Sequence, residues 1–143
     1  MWKKTFTKHY TNVTKEAVWK AWADVNHWGH WDEELEYCQM NDGDAFADGT
    51  VFIMKPVSGP KIKIILYDVV PMQCFSDYCR FPGAKMSDVH TIETVGDGVQ
   101  ISNTTTMTGL LGFIWVQLVG KSVAKGIAEQ TDNLVEYARA HYE

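Results

Sequence analysis

No stretch of the chain approaches the roughly 18 consecutive apolar residues of a membrane-spanning helix, so no span is expected. Basic runs are missing as well. Lysine and arginine number 13 against 18 aspartates and glutamates, a formal net charge of −5. A duplex nucleic-acid binder usually shows a basic face, so nucleic acid is not an expected partner. Cysteine is scarce. Cys38, Cys74 and Cys79 form an odd set without tight spacing, which argues against a disulfide framework. They read as free thiols, which points to a cytoplasmic location. Cys74 and Cys79, five apart in one predicted strand, should point to opposite faces. The opening Met1-Trp2-Lys3-Lys4-Thr5 has no apolar run after its lysines and does not read as a secretory signal. Nucleophile-elbow, Walker and dinucleotide-binding motifs are all lacking, and no cofactor is expected. His27 and His30 lie near Asp32, Glu33 and Glu34, but Gly29 interrupts them and no third ligand is placed. A zinc site needs three or four ligands, so no metal is expected.

What the chain does have is rings. Trp, Tyr and Phe occur six times each and make up 13% of 143 residues. Such side chains suit a cavity wall and an ordinary core equally. The length fits one domain over residues 1–143, large enough to fold without a metal or disulfide.

Patterning gives an α+β order. Residues 2–12 read as a strand. Thr14 is placed to cap a helix over 15–23, with Glu16 favouring its positive end and Val18, Trp19 and Trp22 at helical spacing. A second short helical piece covers 25–31, with Trp28 and Trp31 on one side. Strands follow near 35–41, 49–56, 61–70, 73–81, 86–95 and 98–108, separated by glycine and proline turns. The short connections favour antiparallel neighbours. Asp97-Gly98 reads as a two-residue hairpin turn, pairing Gly96 with Val99, Ile92 with Asn103 and His90 with Thr105. A three-residue turn would instead put His90 outside. Val99, Ile101, Asn103, Thr105 and Met107 share the inward face, and the polar alternates face water. From Leu110 to about Tyr142 the period becomes helical. Val116, Val119, Val123, Ile127, Leu134 and Ala138 form one stripe, with an early break expected near Gly112 or Gly120.

The run Glu16-Ala17-Val18-Trp19-Lys20-Ala21-Trp22-Ala23-Asp24, followed by Trp28-Gly29-His30-Trp31-Asp32, resembles the opening of the START-like SRPBCC superfamily. That superfamily includes the birch-pollen-allergen fold and the polyketide cyclase/dehydrase proteins. Gly49, Gly96-Asp97-Gly98-Val99 and Gly109-Leu110-Leu111-Gly112 also match in order along the whole chain. The resemblance implies a helix-grip fold: a seven-stranded curved antiparallel sheet around a long C-terminal helix, with two short helices between strands one and two. It also implies a deep pocket between sheet and helix for a small apolar ligand such as a lipid or polyketide. Members bind such ligands, and a minority transform them.

The positions expected to line that pocket are Trp28, Phe52, Met54, Ile64, Leu66, Phe75 and His90, together with Ile92, Asn103, Thr105, Met107, Val116, Gly120 and Val123. Gly120 either widens the pocket or allows close packing. Trp28 is either wall or core. His90 is the one candidate for catalysis as a general base, set against the reading that it, Asn103 and Thr105 satisfy one another. Asp88 shares the His90 face but is expected near a strand end, in solvent. Three functions stand side by side. One is a carrier or sensor of a small hydrophobic or amphipathic ligand. One is a cyclase/dehydrase-type enzyme using His90 and Asn103. The last is a protein-binding module. A monomer or weak homodimer is expected.

Overall fold

A computed structural model describes residues Met1–Glu143. Strand β1, Trp2–Thr11, leads into helix α1, Lys15–Ala23, and a 3₁₀ turn over Val25–His30. Strands β2, Leu35–Met40, β3, Val51–Pro56, β4, Ile62–Val70, β5, Cys74–Phe81, β6, Ala84–Val95, and β7, Gly98–Thr108, follow in succession. All seven form one antiparallel sheet in the order β1-β7-β6-β5-β4-β3-β2. A C-terminal helix then runs as Gly112–Trp115, a π-helical stretch Val116–Gly120, and Lys121–His141.

Local chemistry explains the element ends. Thr14 is extended, and its hydroxyl accepts from the Ala17 backbone N–H at 3.1 Å, which caps α1. Along β7 the burial alternates cleanly. Val99, Ile101, Asn103, Thr105 and Met107 are buried, and the residues between them are not. The interruption expected near Gly120 is a π-turn rather than a break. Close packing explains the glycine at its end: a Cβ on Gly120 would lie 3.2 Å from the Trp2 ring and 3.5 Å from Met107. Gly120 therefore admits Trp2 and does not widen a pocket.

The last hairpin differs from the sequence expectation. Its closing pair is Val95 with Gly98, so the two turn residues are Gly96 and Asp97. Gly96 has φ +61°, the positive value that a type II′ turn needs at its first central position. Gly98 has a different task. A Cβ there would sit 1.8 Å from the Tyr10 carbonyl oxygen of β1. The register therefore moves by two. His90 faces Asn103 rather than Thr105, and Ile92 faces Ile101 rather than Asn103. An even shift keeps every side chain on its expected face.

One core joins sheet, α1 and the C-terminal helix. At its centre Phe75 meets Trp22 at 5.1 Å and Phe46 at 5.0 Å between centroids, and Trp28 meets Phe52 at 5.3 Å. The C-terminal helix touches this core at two places. Val116 and Gly120 are buried near its start, and Thr131, Leu134, Val135 and Ala138 near its end. From Lys121 to Gln130 no residue is buried. Val123 and Ile127 of the expected stripe are only half-covered. A straight helix over a curved sheet behaves in this way: it bears on both ends and stands off between them.

The two hairpin glycines should fail differently. Gly96→Ala meets open space and carries only the positive-φ strain, about 1 kcal/mol. Gly98→Ala drives a methyl group into backbone and should lose on the order of 3 kcal/mol. Urea unfolding of the two variants measures the difference, and equal losses would contradict the assigned register.

Candidate ligand-binding site

The pairing Phe75–His90–Asn103 runs straight across β5, β6 and β7 on the concave face. The next row holds Asp77, Asp88 and Thr105. Two adjacent polar rows thus lie beneath the helix. His90 stacks on Phe75 at 4.2 Å and 15°. Asn103 Nδ2 donates to His90 Nδ1 at 2.7 Å, which leaves the imidazole proton on Nε2, donated to Asp77 Oδ2 at 3.2 Å. Thr105 Oγ1 reaches Asp88 Oδ1 at 2.5 Å and Asn103 Oδ1 at 3.3 Å. Five side chains therefore form one chain of hydrogen bonds between two carboxylates.

The direction of that chain depends on Asp88. Burial pushes its carboxyl up to about 6, and the Asp77 charge adds to this. His90 and the Thr105 hydroxyl act the other way. While Asp88 is ionised, Thr105 donates to it. Once Asp88 takes a proton it donates to Thr105, whose own hydrogen is then free for Asn103 Oδ1. Asp88 is thus no solvated strand-end residue. β6 begins at Ala84, so Asp88 stands well inside the strand, opposite Asp77 and Thr105. Asp77 itself was not singled out from sequence.

Beside this network, where the stand-off meets the far anchor of the helix, lies a cavity of about 30 Å³. Trp22, Trp28, Trp31, Phe75 and Ile101 form much of its wall, with Ile127 and Leu134 from the helix. His90, Asn103, Gln130 and Thr131 supply its polar edge. Such a volume holds a water or two, against about 300–1,000 Å³ for a drug-sized ligand site. The deep pocket implied by the resemblance is here narrowed by rings.

Trp31 has a special place in the wall. Its indole Nε1 is buried without a hydrogen-bond partner, the one such side-chain nitrogen or oxygen in the protein. By contrast, Trp28 Nε1 donates to the Trp22 carbonyl at 2.9 Å. Next to Trp31, Asp32 is buried and accepts from Gln130 Nε2 at 2.6 Å and from the Glu34 backbone N–H at 3.0 Å. Burial raises the Asp32 carboxyl above its usual range against these bonds. Gln130 is thereby held at the cavity edge.

Of the residues expected to line a pocket, Trp28, Phe75, His90 and Asn103 meet at this cavity. Met107 and Val116 line a separate open groove of about 370 Å³ near the helix start. Phe52, Ile64, Leu66 and Ile92 are buried in the core, Thr105 is bonded into the network, and Met54 and Val123 are half-buried. Sequence reasoning missed Trp22, Gln130 and Thr131. For Trp31 the sequence leaves both pocket mouth and core open, with core favoured. His27 pairs with Asp24 at 2.8 Å, away from the network.

The Asp88 shift has a sign that can be checked. A carboxyl raised in the folded state binds its proton more tightly there than in the unfolded chain. Its contribution is therefore most favourable below about pH 4 and is lost as pH rises through about 6. Asp88→Asn removes that loss. Between about pH 4 and about pH 8 the variant should gain on the order of 2 kcal/mol relative to the native protein. Parallel pH profiles from denaturant unfolding would contradict the buried placement.

The chain matches the family model described as polyketide cyclase / dehydrase and lipid transport over residues 1–139. No curated protein matches it. Among solved structures it is similar to Ara h 8.0201, with 14% identity, TM-score 0.76, and 98% of this chain and 100% of that chain covered. It is also similar to a START superfamily protein from Mycobacterium smegmatis, with 16% identity, TM-score 0.70, and 94% and 97% covered. A third is norcoclaurine synthase from Thalictrum flavum, in complex with dopamine and hydroxybenzaldehyde, with 15% identity, TM-score 0.68, and 99% and 90% covered. These likenesses show the helix-grip fold. With the family model spanning nearly the full length, the chain belongs to the polyketide cyclase/dehydrase and lipid transport family.

Proposed function

We propose that this protein binds a small hydrophobic or amphipathic molecule, such as a lipid or polyketide, between the sheet and the middle of the C-terminal helix. The observation that carries the reading is the unpaired, buried Nε1 of Trp31, a residue whose ring helps line the cavity. A buried donor without a partner costs about 1–3 kcal/mol, and a ligand oxygen at this place removes that cost. His90, Asn103 and Gln130 give the same end of the ligand further polar edges. The apolar remainder fits the aromatic walls. The cavity of about 30 Å³ requires that the helix middle or the rings move outward on binding. No residue from Lys121 to Gln130 is buried, so this stretch gives up little packing when it moves. Three free cysteines support a reducing, cytoplasmic setting for this activity.

A second reading is an enzyme acting on such a ligand, and the Asp77–His90 pair favours it. A carboxylate that accepts from imidazole Nε2 orients the ring and stabilises its protonated form. Both ring nitrogens are engaged, however. Catalysis would require a ligand oxygen to displace Asn103 from Nδ1. The network then becomes a path for one proton between the ligand and the carboxylates.

Native mass spectrometry of the purified protein should find a retained small molecule, and an anilinonaphthalene sulfonate should bind saturably. Trp31→Phe keeps the ring and removes the donor, so affinity for that fluorophore should fall about fivefold to tenfold. No retained molecule and no saturable binding would sink the proposal. An unchanged affinity in Trp31→Phe would remove Trp31 from the site. Turnover of a retained ligand, lost in His90→Ala, would select the enzyme.

A further inference from the structure

The exposed large apolar side chains are not spread evenly. Leu110 is 93% exposed, Phe113 70% and Leu118 65%, with Leu111 and Ile114 at 40%. All five fall in one short segment, the β7–helix link and the first turns of the helix. Met1, 91% exposed, stands beside them, since Met1, Trp2 and Phe113 line the same open groove. The segment is firmly seated from below. Leu111 N–H donates to the Gly83 carbonyl at 2.9 Å, Trp115 Nε1 donates to the Pro82 carbonyl at 2.8 Å, and the Trp115 ring stacks on Phe81 at 4.6 Å. Its outward side chains therefore project from a fixed platform.

The charges around this platform have one sign. Three stretches of chain meet there: the start of β1, the β5–β6 turn, and the end of β7 with the helix start. No aspartate or glutamate occurs in residues 1–15, 78–87 or 98–128. The same stretches carry Lys3, Lys4, Arg80, Lys85 and Lys121, none of which forms an ion pair; of Lys8, Lys15 and Lys125, farther along them, Lys8 pairs with Asp132. Pairing of Lys3 with Thr106 and of Lys85 with Thr108 puts two of them beside the link. A protein of net charge −5 thus has one end that is apolar at the tip and basic at the rim.

We propose that this end docks on an anionic lipid bilayer, with Leu110, Phe113 and Leu118 entering the interface and the lysines facing the headgroups. An anionic bilayer supplies both an apolar interior and a negative surface, the two complements this end needs. A second copy of the chain does not fit the same face, because it would bring together two basic rims without a carboxylate. The site is separate from the cavity, so vesicle binding and ligand affinity can be read independently.

The test is co-sedimentation of the full chain with vesicles of phosphatidylcholine alone and of phosphatidylcholine with about one-third phosphatidylserine. Binding should require phosphatidylserine and fall as salt is raised to about 0.5 M. Leu110→Asp with Phe113→Asp should abolish it, and Lys3→Glu with Lys121→Glu should weaken it at least about tenfold. Val89→Asp, an exposed residue on the convex face, should leave it unchanged. These side chains are exposed, and circular dichroism verifies that each variant folds. The proposal is overturned by absent binding to both vesicles, by equal binding to both, by binding that survives the substitutions, or by a dimer that the Leu110 and Phe113 changes dissolve.

Discussion

A straight helix laid in a curved sheet cannot bear on it along its whole length, and the rest of this structure follows from that mismatch. The C-terminal helix is anchored at its start through Val116 and Gly120, where Trp2 fills the space a side chain would take. It is anchored near its end through Thr131, Leu134, Val135 and Ala138. Polar ties reinforce the far anchor. Tyr10 and Lys8 of β1 hold Asp132 at 2.7 and 2.9 Å, and Tyr142 donates to Asp24 at 2.5 Å. Between the anchors the sheet falls away. The gap must be filled by large side chains, by solvent or by a ligand.

Large rings take most of it, and the polar rows take the rest. Side chains such as Asp77, Asp88 and Asn103 are costly under a helix unless each finds a partner. The cross-strand register supplies those partners, since it sets His90 beside Asp77 and Asn103, and Thr105 opposite Asp88. That network is complete, whereas the Trp31 indole, outside it, has no partner within the protein. Trp31 is one of the residues that line the cavity.

Much of this was legible in the sequence. Thr14 and the Val18-Trp19-Trp22 spacing located α1, and every element end differs from the structure by at most two residues. Strict alternation in β7 sorted inner from outer faces, and with them His90 and Asn103. The hairpin register was not legible. Gly96 and Gly98 both suit a tight turn, and only the approach of the Tyr10 carbonyl shows which one is needed for packing. Asp77 gave no signal because burial along β5 does not alternate: Phe75 and Ser76 are both buried. It joins the site only once Phe75 is known to pair with His90. The size of the void was hidden for a different reason. Spacing places Trp22, Trp28 and Trp31 on the right side of their elements, but ring orientation decides whether they line a space or fill it. The lone Trp31 donor depends on what its neighbours fail to offer, which no local pattern encodes.

The most direct test is the indole N–H resonance of Trp31, identified among the six tryptophans by its loss in Trp31→Phe. On titration with an amphipathic ligand bearing an oxygen acceptor, that resonance should move downfield and saturate, while the Trp28 indole, already bonded to the Trp22 carbonyl, stays near its place. A Trp31 signal that is unmoved at saturation, or that already shows a bonded position in the free protein, would contradict the claim that the gap beneath the helix is a ligand site.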